Sequence, residues 1–329
     1  MTRVLVTGGS GRLGRSVVAS LAETGYDVVS LDRESVPAGE LRGDIVQEVI
    51  DLLAPGEAER VMSKHVPDAV IHLAAIAVPF SAPEDVILST NTRLAYAVMS
   101  AASGAGVSRV ITASSPTVMG YGNPQGWLPG RFPIDEGCAR RPWNAYGLSK
   151  MVAEETMHML AAANGNHVQY AAFRPCFVVS PEEWRGAPTQ QGHTVRERLD
   201  DPRLSAPALF NYVDARDAAE FLILLLEKMD SIPNAQTFFV GAADALAREP
   251  LAELIPQFVP GSARLAAPLT GDSPAFSIDK ARQMLGWHPK RSWRTELSPE
   301  SDDGVAAAGS VAQTSGGFAP AGSNQEEAQ

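Results

Sequence analysis

The sequence predicts an α/β fold with a parallel, doubly wound sheet, and two observations support this prediction. Apolar runs suited to buried strands alternate with segments of helical spacing through the first half of the chain. The apolar run nearest the N-terminus is followed by regularly spaced glycines and then by a helical segment. Strands that alternate with helices favour parallel pairing, because each helix returns the chain to the start of the next strand.

The first strand, residues 4–6, leads directly into glycines at the spacing G-x-x-G-x-x-G. Glycines at this spacing, between a strand and a helix, are typical of a dinucleotide-binding loop. They allow a tight turn, close approach to a pyrophosphate and close packing of the helix on the strand. The first N–H groups of the helix then face the phosphate charge, while an ordinary glycine-rich turn is the alternative. The predicted loop contacts are Gly8, Gly11, Arg12, Leu13 and Gly14.

The second strand, residues 27–32, ends in Asp32, 18 residues after Gly14. A carboxylate at about this offset accepts hydrogen bonds from the adenosine ribose and repels a 2′-phosphate, which favours NAD over NADP. Arg33 could instead accommodate a 2′-phosphate, and Asp32 could simply be a turn or cap residue.

Three further strands are predicted before the middle of the chain, over residues 41–45, 68–75 and 109–115. The first closes on Asp44, whose carboxylate could face an adenine amino group. The second is hydrophobic throughout and ends in small alanines, which permit a cofactor to lie across the strand end. The third ends in two serines. The predicted cofactor contacts at these strand ends are Asp44, Ile45, Leu73, Ala74 and Ala75.

Helical spacing and further apolar runs complete the predicted architecture. The helices are expected over residues 16–22, 58–65, 83–105, 143–164, 213–228 and 277–285. The later strands are expected over residues 168–173 and 237–240. From residue 298 the chain is Gly, Ala, Ser and acid without periodicity, which predicts disorder.

Tyr146 and Lys150 lie four residues apart in a predicted helix, so they project from one face, one turn apart. A phenol with a pKa near ~10 serves as an acid or base at neutral pH when its anion is stabilised. A nearby ammonium and a cofactor's positive charge act in that direction. Ser115, at a strand end, would direct its hydroxyl to the same substrate oxygen. A packed tyrosine, a solvated lysine and a capping serine are the separate alternatives, and their joint occurrence behind the glycines favours catalysis.

Composition narrows the class of protein. The net charge of −11 disfavours a nucleic-acid partner, which needs a basic surface. Cys138 and Cys176 have no metal-ligand spacing, and no metal site is predicted. The chain starts on a strand and has no apolar run as long as a membrane span, so a cytoplasmic protein without membrane attachment is expected.

Two irregular segments, residues 116–142 and 180–207, are expected to determine substrate specificity. The first places Pro116 and Thr117 beside the catalytic serine. The second offers stacking, charge and amide groups for a small polar or anionic ligand, among them Arg185, whose alternative is a solvated surface arginine.

These motifs together resemble the extended short-chain dehydrogenase/reductase family, of the NAD-dependent epimerase/dehydratase type. The resemblance covers residues 1 to about 297. The matching positions are residues 7–14, Asp32, residues 44–45, residues 72–75, Asn91, residues 114–115, residues 146–150, residues 174–175, residues 211–214 and residues 285–289. The resemblance implies NAD in the glycine loop, with Asn91, Pro175, Tyr146 and Lys150 among its contacts. It also implies a Ser115/Tyr146/Lys150 triad and hydride transfer at a substrate carbinol or carbonyl.

Departures from the family pattern narrow the expected substrate. Nucleotide-sugar epimerases usually have tyrosine where this chain has Met119, and an asparagine soon after the sixth strand, where it has residues 174–178 without one. The pattern is closer to the compact uronate-dehydrogenase-like branch. The expected function is therefore NAD-dependent oxidation of a free sugar, uronate or similar small polar substrate. An epimerase of (nucleotide-)sugars that retains its NAD is the alternative, and a non-catalytic NAD-sensing protein is the third.

Domain organisation follows the same pattern. Residues 1–174 are predicted to form a Rossmann-type NAD-binding domain, with residues 211–232 packing back onto it. Residues 175–297 would form a smaller substrate-binding portion, and residues 298–329 a disordered tail. A homodimer through the helices that begin near Pro83 and Trp143 is the family-level expectation.

Overall fold

A computed structural model describes residues 1–37 and 45–298 of the protein. Within them, seven parallel strands form one sheet: β1 (Arg3–Thr7), β2 (Asp27–Asp32), β3 (Val46–Val49), β4 (Ala69–His72), β5 (Arg109–Ala113), β6 (Gln169–Pro175) and β9 (Gln236–Val240). Their order across the sheet is β3-β2-β1-β4-β5-β6-β9. Two short strands pair separately as β7 (Val178–Val179) and β8 (Val213–Asp214). The predicted doubly wound, Rossmann-type α/β fold is confirmed.

Helices cover both faces of the sheet and continue beyond it. The larger ones are α1 (Arg12–Glu23), α2 (Glu57–His65), α3 (Glu84–Gly104), α4 (Ala145–Asn164), α7 (Ala215–Lys228) and α8 (Leu251–Phe258). The shorter ones are α5 (Pro181–Trp184), α6 (Val195–Asp200), α9 (Ala263–Ala266), α10 (Asp279–Leu285) and α11 (Trp293–Glu296).

Alternation along β1 distributes its side chains between two buried cores. Val4 and Val6 pack on the face covered by α1 and α7, whereas Leu5 packs on the face covered by α2, α3 and α4. Because successive strand residues point to opposite faces, a strand buried on both sides needs an unbroken apolar run. This is why residues 4–6 read as hydrophobic throughout.

The third strand differs from its prediction. Residues 41–44 lie outside the described residues, and Ile45 precedes the observed strand β3 instead of ending one. Strand β3 pairs with β2 from Val29↔Val46 to Asp32↔Val49. The residues that follow its carboxyl end are therefore residues 50–52. The expected strand was displaced because β3, an edge strand with largely exposed side chains, lacks the apolar signal of the buried strands.

The segment predicted as irregular over residues 180–207 contains two short helices. Helix α5 begins with a capping box in which Ser180 and Glu183 satisfy each other's backbone N–H groups, and α6 has the same arrangement at Thr194 and Glu197. Helices α8, α9 and α11 were also missing from the prediction. Capping residues alone were too weak a signal for helices of four to eight residues.

Helix α7 packs against α1 on one face of the sheet. The division at residue 174 into a cofactor domain and a substrate portion stays a prediction, and the predicted tail from residue 299 onward lies outside the described residues. In the described part of the chain, no helix has the length and apolar character needed to cross a membrane.

Candidate active site

A cleft of about 530 Å³ runs along the carboxyl ends of the strands, where β1 and β4 lie side by side and the direction of chain winding reverses. This is the position at which doubly wound sheets bind ligands. The predicted residues that line it are Gly8, Gly11, Arg12, Leu13, Gly14, Asp32, Arg33, Leu73, Ala74, Ala75, Ser115, Pro116, Thr117, Tyr146, Lys150 and Pro175.

The backbone around Gly8 and Gly14 is packed so closely that neither position has room for a side chain. Gly8 has a φ of +72°, and a Cβ there would lie 2.7 Å from the backbone nitrogen of Ala74. A Cβ on Gly14 would lie 2.0 Å from the carbonyl oxygen of Gly8. At Gly11, which lines the cleft, a Cβ would meet only that same oxygen within 4 Å. The loop therefore presents bare backbone to the cleft, which fits a pyrophosphate at the start of α1.

Asp32 is the last residue of β2 and lies next to the glycine loop. Its carboxylate accepts hydrogen bonds from the N–H of Ser10 at 3.0 Å and of Arg33 at 2.7 Å. These bonds fix the carboxylate at the cleft wall, where it fits the ribose of an NAD adenosine.

Of the two cofactor contacts predicted at residues 44–45, only Ile45 lies among the described residues. Asp44 lies outside the described residues, and Ile45 packs against a hydrophobic core instead of lining the cleft. Asp51 and Leu52 line the cleft instead, because they follow the carboxyl end of β3 as it is observed. An acid followed by an apolar residue occurs in both places, and the predicted contact at Asp44 stays a prediction.

Asn91 also differs from its predicted role as a cofactor contact. It is buried in α3 and is not among the residues that line the cleft. Its amide accepts from the N–H of Ile76 at 2.8 Å and donates to the Ile76 carbonyl at 3.1 Å and the Ser149 hydroxyl at 3.1 Å. Asn91 thus ties the segment after β4, which lines the cleft, to helix α4.

Tyr146, Lys150 and Ser115 meet at one part of the cleft. Tyr146 and Lys150 are both buried on α4, and the Nζ of Lys150 lies 5.8 Å from the centroid of the Tyr146 ring. That Nζ donates to the carbonyl oxygen of Ala113 at 3.0 Å. Ser115 Oγ accepts a hydrogen bond from the Thr117 hydroxyl at 3.0 Å. The structure brings the predicted triad together.

Burial dominates the protonation of this group. It raises the pKa of Tyr146 to about 12, opposed by the hydrogen bond with Ser115. It lowers the pKa of Lys150 to about 8. The protein chain by itself therefore does not produce the expected lowering of the Tyr146 pKa, because desolvation of the phenolate outweighs the hydrogen bond from Ser115.

A buried ionic cluster around Glu154 packs against the end of β5, where Ser114 and Ser115 follow the strand. Glu154, one turn after Lys150, accepts from the Ser114 hydroxyl at 2.6 Å, from Arg174 at 2.7 and 2.9 Å and from Arg140 at 2.9 Å. Burial raises the pKa of Glu154, but the bonds and charges of these partners outweigh it and hold the pKa below its usual range. The cluster fixes β5 and β6 against α4, next to the triad.

We use the term substrate side for the part of the cleft formed by the two segments that were predicted to determine specificity and by the residues beside them, and its residues differ from the prediction. Arg185 is exposed and is not among the lining residues, so nothing in the structure supports its predicted role. Tyr121, which the prediction did not include, lines the cleft near Tyr146. The sequence does contain a signal for Tyr121. It directly precedes Gly122, and this tyrosine–glycine pair lies two residues after Met119 and Gly120, where nucleotide-sugar epimerases usually have tyrosine before the glycine. The other lining residues on this side include Phe177, Gln190, Gln191, Pro207, Ala208 and Asn211.

Metal chemistry has no evident site in residues 1–37 and 45–298, where no three His, Cys, Asp or Glu side chains are grouped to hold an ion.

Residues 4–241 match the sequence model of the NAD dependent epimerase/dehydratase family. The chain belongs to this family. The match extends from the first strand through β9, so it includes the glycine loop, the triad and the whole of the seven-stranded sheet.

Similar proteins within the epimerase/dehydratase family span nearly the full chain. A UDP-glucose 4-epimerase of Azospirillum brasilense is 27% identical over 95% of this chain and 97% of its own length. A UDP-glucose 4-epimerase of Streptomyces lividans is 29% identical over 88% of this chain and 92% of its own.

Solved structures share the fold of this epimerase/dehydratase family member. A UDP-glucose 4-epimerase from Thermotoga maritima, solved with UDP-glucose, superimposes with a TM-score of 0.69 at 22% identity, covering 93% of this chain and 100% of that one. A short-chain dehydrogenase/reductase superfamily protein from Agrobacterium tumefaciens, solved with NAD, has a TM-score of 0.67 at 22% identity, covering 92% and 96%.

Family membership and cleft geometry agree on the cofactor and on the class of protein. The protein is an NAD-dependent enzyme of the extended short-chain dehydrogenase/reductase type. The glycine cradle and Asp32 fit the two ends of the adenosine diphosphate portion of NAD, and Lys150 is placed where it could hold the nicotinamide ribose.

Proposed function

We propose that this enzyme is an epimerase that acts on a nucleotide sugar and retains its NAD through the catalytic cycle. The observation that supports this most is similarity along the whole chain to UDP-glucose 4-epimerases, combined with a Ser/Tyr/Lys group inside the cofactor cleft. Net oxidation of a free sugar, the function expected from the sequence, becomes the second candidate.

 Two features of the sequence favour net oxidation. Nucleotide-sugar epimerases usually have tyrosine where this chain has Met119, and they usually have an asparagine soon after the sixth strand, whereas residues 174–178 contain none.

The mechanism assigns one task to each member of the triad. Tyr146 takes the proton from the reacting sugar hydroxyl, while Ser115 orients that oxygen by a hydrogen bond. Lys150 holds positive charge beside the phenol and would hold the nicotinamide ribose. NAD, when bound, supplies a hydride acceptor whose positive charge also favours the phenolate, offsetting the burial that raises the pKa of Tyr146. In an epimerase the reduced cofactor would supply the hydride to the other face of the same carbon, and Tyr146 would return the proton to its oxygen.

Tyr121 makes Met119 weaker evidence against a nucleotide-sugar epimerase. The Met119 side chain is buried, and its Sδ lies 3.7 Å from a nitrogen of Arg174. Tyr121 lines the cleft instead and interacts with Asn211, which also lines it. The cleft thus keeps a second tyrosine near Tyr146, although the sequence position at which the family usually has one is occupied by methionine.

The decisive experiment measures cofactor retention and product together. The purified protein is denatured and its released NAD is quantified, and the native protein is incubated with UDP-glucose, UDP-galactose, glucose and glucuronate. An epimerase is expected to release close to one NAD per chain and to interconvert the two UDP-sugars without accumulating NADH. NADH formation with glucose or glucuronate, in the presence of added NAD, would support the second candidate instead.

A non-catalytic NAD-sensing role is the third candidate. Such proteins commonly lack the tyrosine and lysine, so the buried placement of Tyr146 and Lys150 in the cleft argues against it. Binding of NAD with no turnover of any UDP-sugar, free sugar or uronate would favour it.

We also propose that the enzyme is a homodimer assembled through α3 and α4, which pack against each other. Three large apolar side chains on these helices are exposed, namely Val86 (40%), Tyr96 (55%) and Met159 (50%). Exposed apolar groups on two adjacent helices are suited to an interface between copies of the chain. Sedimentation equilibrium of the wild type and of Tyr96→Glu tests this, with a shift from dimer to monomer expected for the variant.

A further inference from the structure

Arg198 on α6 is a buried cation for which the described residues offer no carboxylate partner. Its side chain is 1% exposed, and its Nε has no hydrogen-bond acceptor. No ion pair joins it to an aspartate or glutamate in residues 1–37 and 45–298. Burial lowers its pKa to about 10, which leaves it charged at neutral pH. A buried unpaired charge is costly, so such a group normally has a counter-ion.

Arg198 lies directly behind the substrate side of the cleft. Its guanidinium stacks on the ring of Phe177, with 4.2 Å between the guanidinium carbon and the ring centroid. Its Nη1 donates to the side-chain oxygen of Gln191. Both Phe177 and Gln191 line the cleft, and Gln191 is exposed. A neutral amide on an exposed side chain is thus the acceptor that stands between this cation and the cleft.

A second polar group in the same segment also has no partner. The hydroxyl of Thr189 is buried without a hydrogen bond, two residues before Gln191. Unsatisfied buried donors are uncommon in folded proteins and call for a physical explanation. Two of them in the segment between residues 189 and 198, beside a cleft, are explained together by a ligand that brings hydrogen-bond acceptors and negative charge.

We propose that Arg198 binds an anionic group of the substrate, phosphate or carboxylate, which replaces the Gln191 amide on the guanidinium. The inference rests on the proposed function in taking this end of the cleft as the substrate side. It assigns the substrate to the class of anionic sugars, whether the charge comes from the diphosphate of a nucleotide sugar or from the carboxylate of a sugar acid. Neutral sugars would leave the cation unpaired and bind weakly.

The test measures binding of UDP, glucuronate and glucose to the protein with its NAD, by isothermal titration calorimetry. Arg198→Met removes the charge while keeping a long side chain, and Arg196→Met is the matched control on the exposed side of the same helix. Loss of a charged hydrogen bond predicts about ten- to hundredfold weaker binding of the anionic probe to Arg198→Met. The control should bind that probe as the wild type does.

The two sources of charge give different results. Weakening for UDP alone identifies phosphate as the bound group, and weakening for glucuronate alone identifies carboxylate. Equal affinity of wild type and Arg198→Met for both anions overturns the proposal, as does failure of the wild type to bind either. Gln191→Ala is the second variant. It frees the guanidinium, so it should bind the anion as tightly as the wild type or more tightly, and weaker binding would count against the exchange of Gln191 for ligand.

Two further measurements distinguish loss of anion binding from misfolding of the variant and from failure of the proposed epimerase function. Thermal unfolding without ligand should show Arg198→Met at least as stable as the wild type, because a buried unpaired charge has been removed. NAD content and UDP-sugar interconversion are measured on the same samples. A protein that binds UDP through Arg198 but does not interconvert UDP-sugars would refute the proposed epimerase and leave the anion site intact.

Discussion

The ammonium of Lys150 lies 5.8 Å from the ring centroid of Tyr146, one turn away on the same helix. Both side chains are buried, and burial acts on them in opposite directions, raising the pKa of the phenol and lowering that of the ammonium. Burial shifts each group toward its neutral form, but Lys150, with a pKa of about 8, still carries its charge at pH 7. The positive charge of bound NAD would act against burial on Tyr146 and favour its phenolate.

Tyr146→Phe is expected to reduce turnover of the cognate substrate by about a hundred- to ten-thousandfold, because it removes the group that moves the hydroxyl proton. NAD content should stay close to that of the wild type, since the loop contacts are unchanged. Steady-state kinetics and quantification of released NAD measure the two effects. Near-normal turnover in this variant would show that another group acts as the base.

Because burial lowers the pKa of Lys150, its contribution to the stability of the protein without NAD is expected to rise at alkaline pH. Its pKa is about 8 when folded and near 10.5 otherwise, so between these values the unfolded chain binds more protons. Stability contributed by this group therefore increases as pH rises from 8 to 10.5, by on the order of 3 kcal/mol. The difference in unfolding free energy between wild type and Lys150→Met should show this rise. A flat difference for Lys150→Met between pH 8 and 10.5 would contradict the lowered pKa.

Gly14→Ala is expected to weaken both folding and NAD binding. The new Cβ would lie 2.0 Å from the Gly8 carbonyl oxygen, so the helix must move away from the loop. Overpacking of this kind costs about 1–3 kcal/mol. Gly104→Ala is the control, because no atom lies within 4 Å of its Cβ and alanine favours the helix by about 1 kcal/mol. Urea unfolding and NAD titration of both variants measure the contrast, and equal NAD affinity in the two would refute it.

Asp32→Ala is expected to shift cofactor preference from NAD toward NADP. The carboxylate lines the cleft, where it would bind the ribose hydroxyls and repel a 2′-phosphate, and Arg33 beside it could then pair with that phosphate. Loss of hydrogen bonds to a charged group predicts about ten- to hundredfold weaker NAD binding. Fluorescence titration with both cofactors measures the ratio. An unchanged ratio would mean that Asp32 does not select the cofactor.

Glu154→Gln is expected to destabilise the fold by about 3–5 kcal/mol, because it leaves Arg174 charged and buried without its counter-ion. The adjacent Glu155→Gln, on an exposed residue that also bonds Arg140, should cost at most about 1 kcal/mol. Urea unfolding of both proteins gives the comparison. Equal losses would indicate that the Glu154 cluster contributes little beyond an ordinary surface ion pair.

Strong, local patterns allowed much of the fold to be predicted. Strand β2 was predicted with its observed bounds, Asp27–Asp32, because a buried parallel strand bounded by polar residues has few alternatives. The exposed edge strand β3 was misplaced, because its apolar content is low and its position depends on pairing with β2. The short helices α5 and α6 were missed because their stability depends on packing against the rest of the protein.

The candidate site divides in the same way. Positions on the cleft could be predicted where they depend on fixed spacing within one strand, loop or helix, as for the glycines, Asp32, Ser115, Tyr146 and Lys150. Asn91 illustrates what spacing leaves open, since its side chain bonds to Ile76 and Ser149 and not to the cleft.

By itself, the sequence predicted the fold class, the NAD cofactor and the pair of Tyr146 and Lys150 on one helix face, because short-range periodicity and backbone geometry specify them. Only the tertiary structure decided which arginine lies behind the substrate side of the cleft. Arg185 is exposed and Arg198 is buried against Phe177, although the sequence presents both as charged residues in one polar segment. Burial is set by packing between elements distant along the chain, and it is burial without a carboxylate partner that makes Arg198 a candidate ligand site.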